Sequence, residues 1–415
     1  MSTRRPASTD ELSAILAEAS ASATPVIVVG GGTGLAGATE PDAGEIVIST
    51  DHLTQLGAVD PVTAQVTAGA GVTLASLNRH AREAGFEFPL DLGARDSATV
   101  GGMAGTNAGG ALAWRFGSMR QLVAGVEAVL ADGSVIGSLT GLSKDNAGYS
   151  LTGLLVGSEG TLAAISALRL SLVPRMDSRA TALVKTATIA DAVALMAHLR
   201  SNCPDLIACD FVHSRALRLS ADRIAVRPPL PSEDGWFAVV ELGAPSGDLL
   251  PQLTSALESA NRVVATAIAA DADQRAAIWK VRDALTEACD ATGNEHKLDI
   301  AVPVNRLAEL ETAIRAAIES AGGSQDDAMI WGHLADGNVH LAPLFGLAGD
   351  DQLELKILEA VSELEGSIAA EHGVGRDRLE LIGLSRSDAE LKAMAAIRKA
   401  LDPNGILASG RAVPR

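Results

Sequence analysis

The first chemical signal in the sequence is a pair of histidines seven residues apart. They lie in Trp331-Gly332-His333-Leu334-Ala335-Asp336-Gly337-Asn338-Val339-His340-Leu341. Asp-Gly between apolar residues signals a tight hairpin, because a two-residue turn needs positive φ at both central positions. With Asp336-Gly337 as that turn, Ala335 pairs with Asn338, Leu334 with Val339, and His333 falls opposite His340. Opposed residues share a sheet face, with Cβ atoms roughly 5 Å apart. Two imidazoles so placed can grip one cation from one side, as zinc and similar ions accept nitrogen ligands at about 2.1 Å. The plainer alternative is two histidines on a solvated hairpin.

Three further groups could do chemistry. Glu371-His372-Gly373-Val374-Gly375 sets a carboxylate beside an imidazole. A regular strand there would point the two to opposite faces, and a surface charge next to an ordinary loop histidine is the competing account. Trp279, Arg282 and Thr286 recur at i, i+3 and i+7, so on a helix they share a face. A surface cation–π pair of Trp279 and Arg282 would explain that spacing equally well. Lys297 precedes the strand-like Leu298-Asp299-Ile300-Ala301-Val302, where a lysine is ordinarily solvated.

These residues need elements to hold them. Residues 10–20 read as a helix, Val26-Ile27-Val28-Val29 as a buried strand, and Gly30 to Gly37 as a glycine loop. Gly32-x-Gly34-x-x-Gly37 matches the dinucleotide fingerprint, but that motif requires a helix of about ten residues after the glycines. Pro41, Gly44 and the next strand, Glu45-Ile46-Val47-Ile48, follow too soon. A row of backbone N–H groups, an anion nest suited to a pyrophosphate, is the better reading; a plain glycine-rich turn is its competitor. Residues 62–70 alternate as a strand, Thr73 to Ala84 read as a helix closed by Gly85, and 122–130 with 134–139 form a hairpin at Asp132-Gly133. Residues 91–110 are small and close-packing, which lets backbone approach a flat ligand. Beyond Pro174, strand-like and helix-like stretches alternate, as in an antiparallel sheet with helices on one face.

Bulk properties limit the function classes. A chain of 415 residues exceeds one ordinary core, so two domains are expected. A net charge of −18 argues against nucleic-acid binding, and 3% aromatic content argues against base-stacking platforms. No apolar signal core follows Met1, and no run of 18 apolar residues suggests a membrane span. Cys203, Cys209 and Cys289 are few and unpatterned, which predicts a reducing, cytoplasmic setting.

Several motifs in order carry a family resemblance: residues 30–38, 91–110, Lys144-Asp145-Asn146-Ala147-Gly148-Tyr149, and 157–165 with Gly157-Ser158-Glu159-Gly160-Thr161. Together they resemble the FAD-binding domain of the vanillyl-alcohol-oxidase type. Within it the chain is similar to the FAD-linked D-2-hydroxyacid dehydrogenases, the D-2-hydroxyglutarate branch in particular. The resemblance implies an α+β fold: an FAD-binding domain of two α+β subdomains over residues 1–175, an antiparallel-sheet cap for substrate and metal over 176–395, and a C-terminal segment, 396–415, returning to the FAD domain. It assigns FAD contacts to Gly31, Gly32, Thr33, Gly34, Leu35, Ser97, Gly101, Gly102, Thr106, Asn107, Gly160 and Ile165. The FAD is expected to be non-covalent. It makes His333, His340 and Glu371 the ligands of a divalent metal, zinc being the expectation, and sets His372 close to the reacting carbon. Arg282, Thr286 and Lys297 match a grip on the far carboxylate of the substrate. Two departures stand out: Ala342 and Ala408 occupy positions where the family carries asparagine.

The resulting expectation is oxidation of a D-2-hydroxy acid to the 2-oxo acid. The metal would acidify the hydroxyl, His372 would take its proton, and the C2 hydride would pass to the flavin. A dicarboxylate such as D-2-hydroxyglutarate or D-malate is the expected substrate, with D-lactate or glycolate as the alternative. A metal-dependent hydrolase on the same three ligands is a further rival, which leaves the glycine-rich first half unexplained. The expected partners are the small 2-hydroxy acid and an electron acceptor, an electron-transfer protein or a quinone. No nucleic acid is expected, and a homodimer is compatible with the reading.

Overall fold

Short strands and helices alternate through the chain because its apolar runs are interrupted by glycine, proline and capping residues. The computed structural model describes residues 2–292, 297–324, 326–343 and 351–414. Contacts divide it into two units, Met1–Arg175 with Glu371–Arg415, and Met176–Ala370.

Among its described residues the first unit holds two larger sheets, beside a two-stranded antiparallel pairing of Phe86–Glu87 with Val173–Pro174. In one, Ser2–Arg4 and Val26–Val29 flank Ile46–Ser49, all parallel. No helix interrupts the path from Val26–Val29 to Ile46–Ser49, which agrees with rejecting the dinucleotide fingerprint. The other sheet is antiparallel, in the order Gln65–Gly69, Ala164–Ser171, Val123–Val129, Val135–Ser138. The Asp132-Gly133 turn joins the last two, with Gly133 at φ 89°. Ser8 caps the helix Thr9–Ala21, whose Leu12, Leu16 and Ala19 go fully into the core. Among the elements unread in the sequence, Val100–Thr106 is a helix inside the small-residue segment. Its three glycines argue against helix by propensity. The Thr99 cap, Asn107 in the left-handed conformation at its end, and burial of Val100, Met103 and Ala104 override them.

The chain's end belongs to this unit. Val26 N–H donates to the Ile406 carbonyl at 2.8 Å, and Ala408 N–H to the Val26 carbonyl at 2.9 Å. Residues 371–395, which the sequence reading gave to the cap, also group here. The reason is local bonding: Arg376 N–H donates to the Ala36 carbonyl at 2.9 Å, and Ala412 N–H to the Gly375 carbonyl at 2.7 Å.

Among its described residues the second unit is built on a sheet of seven antiparallel strands. Their order is Val263–Ile268, Ser178–Thr186, Trp236–Ala244, Leu206–His213, Ala328–His333, Asn338–Pro343, Leu298–Ala301. The expectation of helices on one face is corrected here. Every residue of Leu206–His213 is buried, and successive residues of a strand point to opposite faces, so both faces are covered. On one, Val212, Phe237, Val239, Met329 and Trp331 pack with Ala216, Ile278, Val281 and Leu285 from Ser214–Ile224, Ala272–Asp283 and Leu285–Asp290. Helices Ile189–Asn202, Leu250–Glu258 and Leu307–Ser320 pack with one another and cover the other. Among the described residues, no helix is long and apolar enough to cross a membrane.

Candidate active site

The histidine hairpin forms with a wider turn than the sequence suggests. Asn338, not His340, stands opposite His333, and Trp331 stands opposite His340. Of the Asp-Gly pair only Gly337 has positive φ, 81°, so the two-residue turn is not made and Leu334 to Gly337 form the loop. Neighbouring strands decide this. Leu334 N–H bonds the Cys209 carbonyl at 2.8 Å, and Val302 N–H bonds the Gly337 carbonyl at 3.1 Å. Because the register moves by two residues, the side chains keep their face. The histidine rings lie diagonally, 5.6 Å apart and edge to face at 85°.

Each histidine is held by an aspartate on the next strand. Asp210 pairs with His333, and Asp299 with His340. Asp210 Oδ1 lies 2.8 Å from His333 Nδ1, and Asp299 Oδ1 lies 3.4 Å from His340 Nδ1. All four are buried, Asp210 completely. Arg282 donates from Nε to Asp210 Oδ2 at 2.5 Å, and its Nη2 lies 3.4 Å from His333 Nδ1. That nitrogen cannot donate to Asp210 and accept from Arg282 at once; the shorter, charge-assisted bond decides the tautomer. Burial works to raise the Asp210 carboxyl, but Arg282 and His333 outweigh it and hold it below the ordinary range. The carboxylate on His333 Nδ1 leaves Nε2 as that ring's lone-pair nitrogen, the arrangement usual for metal-binding histidines. Asn338 donates to Asp299 Oδ1 at 2.8 Å and to the Ile300 carbonyl at 3.1 Å. Its Oδ1 is buried with no partner among the described residues. Flipping the amide would not help, since both neighbours are acceptors.

The remaining cap residues separate. Trp279 and Arg282 do share a face, each on a buried carboxylate: Trp279 Nε1 donates to Glu241 Oε2 at 2.6 Å, whereas Arg282 holds Asp210. Thr286 is exposed on Leu285–Asp290. Lys297 pairs with Asp290. Arg282 and Lys297 therefore carry different acidic partners.

In the first unit three of the motifs converge. A Cβ on Gly31 would lie 1.9 Å from the Ser97 carbonyl oxygen, and one on Gly101 2.6 Å from Ala70 Cβ, so these glycines permit close packing of segments. Gly32 and Gly160, with positive φ, have open space instead, a Cβ on Gly34 would only touch Thr39 Cγ2 at 3.9 Å, and Leu35 is 56% exposed. Thr33 and Ser97 lie on the same two segments, and Gly102 N–H is bonded to Thr99 Oγ1 at 3.2 Å. Thr106 Oγ1 donates to the Gly102 carbonyl at 3.4 Å. Asn107 Oδ1 accepts from Ser118 Oγ and Arg120 N–H, both at 2.9 Å. Gly157 N–H reaches the Ala104 carbonyl, joining 157–160 to the same helix, and Ile165 is buried in Ala164–Ser171. The open glycines, exposed backbone and Leu35 make a cradle fit for a large flat cofactor.

The 371–375 loop is neither strand nor helix. Glu371 Oε1 accepts from Gly110 N–H at 2.5 Å, and Val374 and Gly375 N–H groups donate to Glu159. Asp210, Asp299, Asn338 and Glu159 escaped the sequence reading. A lone acid inside an apolar strand, as in Ile207-Ala208-Cys209-Asp210-Phe211-Val212, was the available signal.

Comparison with known proteins agrees with this anatomy. Residues 3–137 match the FAD binding domain, and residues 175–412 match the C-terminal domain of FAD linked oxidases. D-2-hydroxyglutarate dehydrogenase of Rattus norvegicus is 31% identical over 99% of this chain and 77% of its own length. A D-2-hydroxyglutarate–pyruvate transhydrogenase of Saccharomyces cerevisiae is 28% identical over 97% of this chain and 84% of its own. The crystal structure of p-cresol methylhydroxylase with substrate bound superposes with a TM-score of 0.77 at 13% identity, over 99% of this chain and 88% of that one. One expectation is overturned: the rat relative is named a mitochondrial enzyme, against the cytoplasmic placement. Unpaired cysteines report a reducing setting, not a particular compartment. The chain belongs to the FAD-linked oxidases of the vanillyl-alcohol-oxidase type and is an FAD-linked dehydrogenase of the D-2-hydroxyacid family, alongside the D-2-hydroxyglutarate dehydrogenases.

Proposed function

We propose that this enzyme oxidises a D-2-hydroxy dicarboxylate, D-2-hydroxyglutarate or D-malate, to its 2-oxo acid, with a divalent cation on His333, His340 and Glu371. The observation that carries the metal reading is the pairing of each histidine with a buried aspartate across the sheet, Asp210 with His333 and Asp299 with His340. Glu371 follows Ala370, whose N–H bonds the Asp299 carbonyl at 3.1 Å. Two neutral nitrogens and one carboxylate leave coordination positions for substrate oxygens. A bound divalent cation would supply charge that acidifies the substrate hydroxyl, and bound FAD would accept the hydride. The protein's own part is to orient the acid, take the hydroxyl proton at a ring nitrogen of His372, and offer Asn338 Oδ1 as a buried acceptor. Arg282 supports the dicarboxylate, as its planar fork suits a carboxylate. The candidate flavin contacts are Gly31, Gly32, Thr33, Gly34, Leu35, Ser97, Gly101, Gly102, Thr106, Asn107, Gly160 and Ile165. Electrons then pass to an electron-transfer protein or a quinone, from a homodimeric enzyme.

One observation favours a second reading. Asp210 and Asp290 already neutralise Arg282 and Lys297 without substrate, and Ala342 offers no amide. A monocarboxylate such as D-lactate or glycolate meets that pocket at less cost. Assays of purified enzyme with a dye acceptor decide between them. We expect kcat/KM for D-2-hydroxyglutarate or D-malate to exceed that for D-lactate and glycolate, and Lys297→Ala to narrow the gap. Equal or better turnover of D-lactate replaces the first reading with the second. Chelation should abolish turnover while the flavin spectrum persists; full activity in metal-stripped protein refutes the metal.

A further inference from the structure

Glu159 has an unusual place in the first unit. It is a non-glycine residue at φ 50°, between Gly157 at 86° and Gly160 at 72°. Single strained residues of this kind persist only where surrounding bonds hold them. Here the bonds are clear. Glu159 N–H donates to the Gly105 carbonyl at 2.8 Å, at the end of Val100–Thr106. Its carboxylate accepts from Val374 N–H at 2.9 Å on one oxygen and from Gly375 N–H at 2.8 Å on the other. The receiving loop is shaped for it. Gly373 and Gly375 both have positive φ; a Cβ on Gly373 would lie 2.8 Å from the Glu159 carboxyl carbon, and one on Gly375 1.8 Å from the Ala36 carbonyl oxygen. On the other side of His372, Glu371 is held by Gly110 N–H. The loop with the Glu371-His372 pair is thus pinned on both flanks by residues attached to one helix region.

We infer that Glu159 is a positioning residue for the reaction: its carboxylate fixes the 371–375 loop, and so His372, relative to the helix Val100–Thr106. The inference rests on the proposed role of His372. Two N–H donors, one on each oxygen, favour the ionised carboxylate, while burial raises its pKa and the two bonds only partly oppose this. Charge-assisted bonds are roughly twice as strong as neutral ones, so the pair of them suits a loop that must not drift.

The test uses the FAD-loaded full chain. Glu159→Ala removes both acceptors; Glu159→Gln keeps one oxygen and is the milder variant should Glu159→Ala fail to fold. Two readouts are taken: flavin reduction by D-2-hydroxyglutarate in anaerobic stopped flow, and amide hydrogen exchange across residues 371–378. We expect FAD content close to wild type, exchange at least 10-fold faster in 371–378, and flavin reduction slowed about 10- to 100-fold in Glu159→Ala and less in Glu159→Gln, with little change in substrate affinity. Exchange as slow as wild type in both variants overturns the anchoring whatever the substrate is. Faster exchange with wild-type flavin reduction overturns the positioning role. His372→Ala is measured alongside: if it reduces flavin at the wild-type rate, the proposed base is wrong, and the exchange result still decides whether Glu159 holds the loop.

Discussion

Single side chains set both the chemistry and the local strain. Asp210 holds a histidine with one oxygen and an arginine with the other, at full burial. Asp210→Asn keeps the shape but removes the charge that orients His333 and neutralises Arg282. Loss of such an outer partner would weaken binding of the proposed cation about 10- to 100-fold, and removing the carboxylate from the part-buried Arg282 should lower stability by about 1–3 kcal/mol. Zinc titration against a chromophoric chelator and urea unfolding measure the two effects; unchanged affinity removes Asp210 from the metal's support. Ala408 is the second case. It sits at φ 40°, a region costing an ordinary residue about 1–2 kcal/mol and visited more readily by glycine and asparagine. Glycine or asparagine suits that backbone better, which gives alanine a physical cost at this position. Ala408→Gly is expected to stabilise the chain by about 0.5–1 kcal/mol, read as a higher unfolding midpoint in urea.

At the scale of elements, the hairpin shows how a sheet corrects a turn. Gly337 is the residue that cannot change. Its φ is 81°, and a Cβ there would fall 2.0 Å from the Val302 carbonyl oxygen. Gly337→Ala therefore combines backbone strain with a clash against backbone that has no room to move, a cost of about 1–3 kcal/mol or more. We expect a lower urea midpoint, together with weaker binding of the proposed cation, since the turn sets how His340 follows His333. A variant with wild-type values in both would show that the loop tolerates another path. The glycines at 373 and 375 belong to the same class, where positive φ and close tertiary approach together demand the residue.

At the scale of the molecule, pH acts on stability through a buried histidine outside the proposed site. His213 lies on the opposite sheet face, beside Trp236 and within 3.4 Å of Arg315. Burial, with Arg315 next, lowers its pKa from 6.5 to about 4. The unfolded chain thus binds this proton and the folded one does not between those values. Stability from this group rises with pH across that window and is lost as pH falls through it, by about 3 kcal/mol at most. His213→Phe should flatten the urea midpoint between pH 4 and 6.5 relative to wild type; an unchanged slope would show that other groups dominate.

Local pattern alone carried a good part of this protein. The glycine loop without a following helix, the Thr73-capped helix, the hairpin at Asp132-Gly133 and the shared face of His333 and His340 all depend on neighbours in sequence, through capping, turn conformation and the two-residue period of a strand. Tertiary structure decided the rest. The helix Val100–Thr106 exists because packing outweighs the weak propensity of its glycines. The true hairpin register follows from bonds to Cys209 and Val302 on other strands. Residues 371–395 join the first unit because Ala36, Gly110 and Glu159 bond to them. Asp210 and Asp299 became partners of the histidines only when strands over a hundred and about forty residues away were laid beside them, since cross-strand pairing is invisible to any local rule.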